Sequence, residues 1–379
     1  MMDLNLAPHY VAFRDECRQW LSDNHPGRIA SMDTAVGFEE HRAWEKVLFD
    51  AGWSVPAWPS VYGGRDCDLI EWLIYEEEYW LSGVPGRVSA NGVSLLAPTI
   101  FNFGTQEQQD FFLPRMASGE HIWAQGWSEP EAGSDLAGIK TKAILDGDDF
   151  ILNGQKTWCS RGAFADWIFC IVRTDPEAER HQGLTYLLVP AETPGMERRP
   201  IGRLDGEPGF AELFFDDARV SAEHVLGGVG QGWAVAMAAA GSERGLSLRS
   251  PGRFMAAAER LRALAADVTD LDPRLRDEVV DAWIKAQAYR WNTYQMAADL
   301  MEGAEIGPEA SEGKVFWSEL DLELHATALR LMGPMGEVAD AGNDWLDGYV
   351  FALSGPIYAG TNEIQRNIVA ERVLGLPRR

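Results

Sequence analysis

At 379 residues the chain is longer than one hydrophobic core usually organises, so two or three structural layers or domains are expected. A 46% hydrophobic content with 15 Trp and 16 Phe is ample for a large core. The formal net charge of −25 argues against nucleic acid and anionic membrane as partners, which need clustered Lys and Arg, but leaves room for an anionic small ligand in a local basic pocket or at helix N-termini.

Residues 1–120 read as an N-terminal α-helical domain. His9 to Leu21 places Tyr10, Val11, Phe13, Cys17, Trp20 and Leu21 close to a 3.6-residue period. Gly37 to Ala51 is a second helix that stops at Gly52, and Pro56, Pro59 and Gly63-Gly64 mark a loop. Leu69 to Leu81 is an aromatic-rich helix. Thr105 to Met116 is another, with Thr105 as N-cap and Gln108 completing a capping box.

Residues 121–228 read as short strands separated by turns: Ala143 to Leu145, Phe150 to Leu152, Trp167 to Val172, Leu184 to Val189 and Ala211 to Phe215. Asn153-Gly154 carries a hairpin signal. The pattern argues for a small antiparallel barrel or sandwich, and a central antiparallel β-barrel is the expectation carried forward. Residues 229–379 are helical again, with one or two helices over 233–268, then Pro273 to Met301, Ser311 to Met332 and Thr361 to Leu374. Long helices with short connections suggest a C-terminal four-helix bundle, making the chain a multidomain α+β protein.

The four cysteines, Cys17, Cys67, Cys159 and Cys170, show no paired spacing, so neither a metal site nor a disulfide framework is expected and a reduced, cytoplasmic setting fits. No apolar run approaches ~18 uninterrupted residues, and no basic leader precedes an apolar core, so neither a membrane span nor a signal peptide is expected.

Between Val225 and Ser242 the chain carries no charge, and Gly241-Ser242-Glu243-Arg244-Gly245 then places a carboxylate between two glycines. A helix apolar nearly all round is normally buried, so Glu243 is either one half of a structural ion pair with Arg244 or a carboxylate with a chemical task. Trp127-Ser128-Glu129-Pro130-Glu131-Ala132-Gly133-Ser134-Asp135 has the makings of a ligand loop, with Gly133 for close backbone approach and two hydroxyls, although such loops are more often only loops. Asn153 to Ser160 sets Trp158 beside the hydroxyl of Ser160, as a flat heterocycle would need or as a core Trp would supply. Tyr358-Ala359-Gly360-Thr361 reads as a tight turn into a helix capped by Thr361.

With these three stretches in order, the chain resembles the acyl-CoA dehydrogenase family over nearly its whole length. Glu129-Pro130 with Ala132 to Thr141 looks like that family's flavin and acyl-CoA loop, and Asn153 to Trp158 and Gly360 to Arg366 match its later signatures. The resemblance implies FAD held by Trp127, Ser128, Gly133, Ser134, Trp158, Ser160, Thr361 and Glu363, between the β domain and the helical bundle. Ser134 is also implied near the phosphopantetheine arm, with Arg244 and Gly360 on the substrate side. It implies removal of an α proton by a Glu, with the thioester oxygen held by the backbone N–H at Ala359 and a ribityl hydroxyl of FAD.

Two departures carry information. Many members hold their base in the tight turn, where this chain has Ala359. A smaller branch, including the isovaleryl and long-chain enzymes, places it on the helix, and the matching residue is Glu243. Typical homotetrameric members also carry an Arg-x-x-Phe-Gly and a Gln-x-x-Gly-Gly-x-Gly loop that complete the FAD site, whereas Ala263 to Asp272 and Arg330 to Gly336 lack both. That is similar to the bacterial two-subunit enzymes of steroid side-chain breakdown. It implies an α2β2 assembly with a second acyl-CoA dehydrogenase-like subunit, against a homo-oligomer that binds FAD differently. An electron-transferring flavoprotein is the expected acceptor. Ala238, Ala239, Ala240, Gly241, Gly245, Ala359 and Gly360 either let helices pack closely or leave room for a bulky, steroid-derived acyl group on its way to the trans-2-enoyl-CoA. The competing readings are an FAD-poor scaffold subunit of a heteromeric dehydrogenase, and a flavin oxidase or monooxygenase on the same fold.

Overall fold

The computed structural model describes residues 6–244, 250–338 and 343–377, the side chains of 242–244 excepted. In chain order its α-helices are α1 (Pro8–Asp23), α2 (Ala35–Asp50), α3 (Leu69–Leu81), α4 (Ala97–Phe103), α5 (Gln106–Ala117), α6 (Gly232–Arg244), α7 (Pro251–Ala266), α8 (Pro273–Met301), α9 (Ala310–Met332), α10 (Asp344–Ala352) and α11 (Asn362–Ile368). The strands are β1 (Trp123–Gly126), β2 (Lys142–Asp146), β3 (Asp149–Ser160), β4 (Trp167–Arg173), β5 (Leu184–Pro190), β6 (Met196–Ile201), β7 (Phe210–Ser221) and β8 (Val225–Leu226). The capping box at the head of α5 forms as its residues suggest: Thr105 accepts from the N–H of Gln108, whose side chain accepts from the N–H of Thr105. No helix of the described residues is long and apolar enough to cross a membrane.

The chain divides into two compact units. The first, Arg28–Asp66 with Pro85–Glu243, holds the sheet together with α2, α4, α5 and α6. Inward residues of the strands, including Phe150, Leu152, Ile168, Leu187, Val189 and Leu213, form its core. The guanidinium of Arg42 on α2 forks onto Asp166 at 2.9 and 3.1 Å, and Asp166 also accepts from the Ile122 N–H.

The expected antiparallel β-barrel does not form. Strand order is β6-β7-β3-β2-β4-β5-β8, with β1 added beside β4, and the two ends of that path do not pair. β1 runs parallel to β4, and β2 meets β4 in parallel through Lys142 and Arg173, so the sheet is mixed and open. The reason lies at its end: β8 is two residues long, too short an edge for the continuous ladder that closure requires. The chain reverses between β2 and β3 at Gly147, with φ +64°, and Asn153-Gly154 lies inside β3, at a bulge in its pairing with β7, rather than in a hairpin turn.

The second unit, Met1–Gly27, Cys67–Val84 and Arg244–Arg379, is helical. The expected C-terminal four-helix bundle changes membership here. α6 belongs to the sheet unit, and α3, from the N-terminal third, packs on α7 and α8 beside α9. Gly252 permits that approach, because a Cβ there would fall 2.5 Å from the Glu76 carbonyl oxygen. Arginine forks tie the helices together: Arg290 to Glu77 at 2.5 and 2.8 Å, and Arg18 to Glu78 at 2.9 and 2.7 Å. The last predicted helix is shorter than its pattern, since α11 ends at Ile368 and a wider π turn follows over Val369–Val373. Helix α10 and the π turn at Asn91–Leu96 that leads into α4 carry no predicted counterpart.

Candidate functional site

In the sheet unit the site is built on β3. Its pairing with β7 shifts register between Leu152 and Gly154 and again between Lys156 and Cys159. A bulge inserts an unpaired residue and re-aims its neighbours. At the first shift Gly154 has φ +149°, and a Cβ there would lie 2.6–2.8 Å from atoms of Thr141, so only glycine fits. At the second, Trp158 adopts φ +58° and turns outward, 61% exposed, its ring T-shaped against Phe210 with centroids 5.8 Å apart. A large aromatic held in the left-handed region and left in the open is a strained arrangement of the kind that clusters at binding sites. Ser160 follows two residues on, half-buried and paired with Phe210.

The loop from Trp127 to Thr141 is fastened to this strand by a buried ion pair. Lys156, fully buried, donates to Glu129 at 2.8 Å and to the Trp127 carbonyl at 3.2 Å. Glu129 also accepts from the backbone N–H groups of Lys140 (2.6 Å) and Thr141 (2.9 Å), and Thr157 N–H donates to the Ser128 carbonyl at 2.9 Å. Burial raises the pKa of the Glu129 carboxyl, but the Lys156 charge and these donors outweigh it and hold the group below its usual value. The Trp127 indole N–H is buried and finds no acceptor among the described residues, an arrangement suited to an acceptor on a bound molecule. Ser128 is half-buried, and Gly133 and Ser134 are exposed. A Cβ at Gly133 would meet nothing within 4 Å among the described residues, so none of them requires glycine there.

Helix α6 starts against β5: Gly230 N–H donates to the Thr185 hydroxyl at 2.9 Å, and a Cβ on Gly232 would fall 2.5 Å from the Thr185 backbone. Val235, Ala236 and Ala239 are buried, whereas Ala234 and Met237 are exposed, so the helix is covered on one face rather than all round. A Cβ on Gly241 would meet nothing within 4 Å among the described residues. Glu243 and Arg244 end the helix; their side chains, and Gly245 entirely, lie outside the described residues.

In the helical unit the turn before α11 is left-handed at two successive residues, Ala359 (φ +58°) and Gly360 (φ +75°). The αL form costs an L-residue about 1–2 kcal/mol, so its neighbours must hold it. Gln365 donates to the Ala359 carbonyl at 2.8 Å, and Asn362 accepts from buried Lys314 at 2.8 Å and from Ser318 at 3.1 Å. The N–H of Ala359 makes no hydrogen bond among the described residues. Thr361 caps the helix by accepting from the Ile364 N–H at 3.3 Å. Exposed Glu363 has its pKa lowered by its own backbone N–H and by Thr361.

The structure thus gathers Trp127, Ser128, Trp158 and Ser160 around one bulged strand, and Ala359, Gly360, Thr361 and Glu363 around one turn. Glu129, Lys156 and Gln365 hold the site together without being among the residues expected to form it. For Lys156 a signal existed: it occupies an inward position of a strand whose other inward residues include Phe150 and Leu152.

Family profiles match almost end to end: acyl-CoA dehydrogenase N-terminal domain over residues 8–120, middle domain over 124–218 and C-terminal domain over 230–374. The acyl-CoA dehydrogenase IpdE1 of Mycobacterium tuberculosis is 40% identical over 385 residues, covering 97% of each chain. Among solved structures, the "Tcur3481-Tcur3483 steroid ACAD" superposes with a TM-score of 0.89 at 28% identity over 100% of both chains. The ChsE4-ChsE5 complex from Mycobacterium tuberculosis does so with a TM-score of 0.84, again at 28% identity over both whole chains.

Proposed function

The chain belongs to the acyl-CoA dehydrogenase family and is a flavin-dependent oxidoreductase, and from that premise we propose that Glu243 is the base that removes the α proton of a bulky, ring-bearing acyl-CoA. The observation that carries this reading is a division of labour between two segments. The turn presents Ala359, whose side chain takes no proton but whose N–H is free to hold the thioester oxygen, while α6 carries one carboxylate, Glu243, two residues from Gly241, whose Cβ position meets none of the described residues. The α proton leaves to Glu243 as enolate charge develops on the thioester oxygen, and the Ala359 N–H stabilises that charge where it forms. When bound, FAD supplies the two-electron acceptor for the β hydrogen, so that the product is the trans-2-enoyl-CoA.

Trp127, Ser128, Gly133, Ser134, Trp158, Ser160, Thr361 and Glu363 are proposed to hold FAD. The unpaired indole N–H of Trp127 and the exposed ring of Trp158 fit a flat heterocycle bearing acceptors. Ser134, Arg244 and Gly360 are assigned to the substrate side. A ring-bearing acyl group is favoured by the half-buried small residues Ala238, Ala240 and Gly241, whereas Ala239 is already used in packing, and a similar solved structure is a steroid enzyme.

A second subunit completes the proposal. Where the family resemblance expects a cationic pyrophosphate contact, α7 runs into Asp267, Asp270 and Asp272, the last capping α8, and acidic side chains repel phosphate. Arg330 is spent on Glu278 at 2.6 Å. Val280, Trp283 and Ile284 leave an exposed apolar stripe on α8, the kind of surface a partner covers. An electron-transferring flavoprotein is the proposed acceptor. Co-expression with candidate second subunits tests all of this. A flavin-loaded complex of two chains of each kind, oxidising ring-bearing acyl-CoA faster than a straight-chain thioester of equal carbon number, is expected. A flavin-loaded homo-oligomer with the opposite preference would contradict it.

A further inference from the structure

Gln365, on α11, reaches back toward the turn and places its Nε2 2.8 Å from the Ala359 carbonyl oxygen and 3.5 Å from that of Gly360. A carbonyl oxygen can only accept, so the amide nitrogen is the end that faces the turn. The residue is 2% exposed, and its Oε1 is buried with no donor among the described residues. Gly360 is fitted around this amide: besides its φ of +75°, a Cβ there would fall 2.6 Å from Gln365 Nε2. α11 is itself fastened to α9, because buried Lys314 and Ser318 both donate to the Oδ1 of buried Asn362, at 2.8 and 3.1 Å.

Upstream, the Tyr358 N–H donates to the Ser354 carbonyl at 3.1 Å, and the Asn362 N–H closes the segment onto the Pro356 carbonyl at 2.8 Å. The Ala359 N–H therefore follows a tethered N–H and precedes a tethered carbonyl, and is itself unbonded among the described residues.

Packing gives no reason for the amide. A methionine would fill nearly the same volume without burying an oxygen that no described residue satisfies, and an unfilled buried acceptor is unfavourable. What the amide adds is a directed bond to the residue whose backbone is strained. Ala359, at φ +58°, occupies a region that an alanine leaves when nothing holds it. The φ and ψ of that one residue set both where its N–H points and where its carbonyl points, so holding the carbonyl restricts the N–H.

We infer that Gln365 is a positioning residue: by tethering the Ala359 carbonyl it keeps that residue left-handed and so holds the Ala359 N–H on the thioester oxygen. The inference rests on the proposed reaction. The N–H matters most as enolate charge develops, so a donor that drifts by a fraction of an ångström weakens transition-state stabilisation far more than ground-state binding.

The test uses the flavin-loaded enzyme in D2O with (1-methylcyclohexyl)acetyl-CoA, which has α hydrogens but none on the β carbon. A Cα–H bond breaks as its proton passes to Glu243, a solvent deuteron returns, and no hydride can leave; mass spectrometry reads the exchange. Gln365→Met keeps the volume and removes the donor. Gln365→Glu keeps the shape but donates only while its carboxyl is protonated; burial raises that pKa, and the ionised form repels the Ala359 oxygen. Gln365→Met should retain its flavin and a KM within about threefold of wild type for an oxidisable ring-bearing acyl-CoA, with kcat and α-hydrogen exchange falling together by about 30-fold at every pH. Gln365→Glu should lose about 100-fold at about pH 8 and regain about tenfold, relative to wild type, by about pH 6. Wild type carries the other charged groups around the turn, Lys314, Glu363, Arg366 and the base itself included, so the ratio isolates the substituted side chain. Exchange at the wild-type rate in Gln365→Met, a loss confined to KM or to flavin content, or a Gln365→Glu ratio that does not change with pH would each overturn the inference and leave the reaction standing. A wild-type enzyme that neither exchanges nor oxidises a ring-bearing acyl-CoA would overturn the proposed reaction, and this inference with it.

Discussion

The ion pair Lys156–Glu129 makes a single residue decisive for the loop from Trp127 to Thr141, which is proposed to hold FAD. Glu129 gathers Lys156, Lys140 N–H and Thr141 N–H, so the loop and β3 share one carboxylate. Removing one member of a buried pair strands the other, and Lys156→Met should destabilise the protein by about 3–5 kcal/mol at pH 7, read by chemical denaturation. The pH dependence has a definite sign. The folded-state pKa of Glu129 lies below its usual 4.5, so its contribution is present above that value and is lost as pH falls through the depressed one. The gap between wild type and variant should therefore narrow as pH falls from 7 toward about 4, where the variant's stranded carboxyl takes up a proton, and close only below the depressed value. A gap of equal size at both pH values would deny the pair this role. Part of the site was legible at this scale. Ala359 in the turn and Glu243 in an uncharged run stand out from their neighbours by residue type alone. Lys156 lies inside the Asn153 to Trp158 motif but reads as exposed, as a lysine in a strand ordinarily does, and its burial depends on a carboxylate 27 residues earlier.

At the scale of elements, periodicity located α1, α2, α3, α5, α8 and α9 to within one or two residues, since each buries one regular face. It failed where tertiary contacts override local preference. Asn153-Gly154 has the composition of a hairpin turn but serves as a bulge, because β3 continues along β7 and Thr141 occupies the space beside the glycine. The bulge has a purpose, since it precedes the second register shift, which turns Trp158 outward. Gly154→Ala should cost about 1–3 kcal/mol and weaken FAD binding, as the added methyl pushes Thr141 and with it the loop that Glu129 holds. Thermal unfolding and titration of the stripped protein with FAD check both effects; unchanged FAD affinity alongside lowered stability would detach the bulge from the cofactor. The expected barrel fails for a related reason. Strand count and turn spacing are visible in a sequence, but whether the end strands meet is set by β8, which is too short to register as an edge.

Across the whole molecule, the order of the chain hides its spatial grouping. α3 serves the helical unit from the N-terminal third and α6 serves the sheet unit from the C-terminal part, because the packing face of a helix names no partner in sequence. The net charge of −25 is compatible with a CoA ligand only where cations and backbone donors are local, which makes the few unpaired donors of the site more informative than the overall charge. The acidic run after α7 and the uncovered stripe on α8 are the features on which the proposed second subunit rests, and the chemistry proposed for Glu243 is tested in the flavin-loaded enzyme. Anaerobic mixing of wild type and Glu243→Gln with a ring-bearing acyl-CoA, followed by the visible absorbance of oxidised flavin, tests the assignment most directly. Wild type should bleach, and the variant should retain its flavin, bind the thioester and stay oxidised; bleaching of Glu243→Gln at the wild-type rate would contradict it.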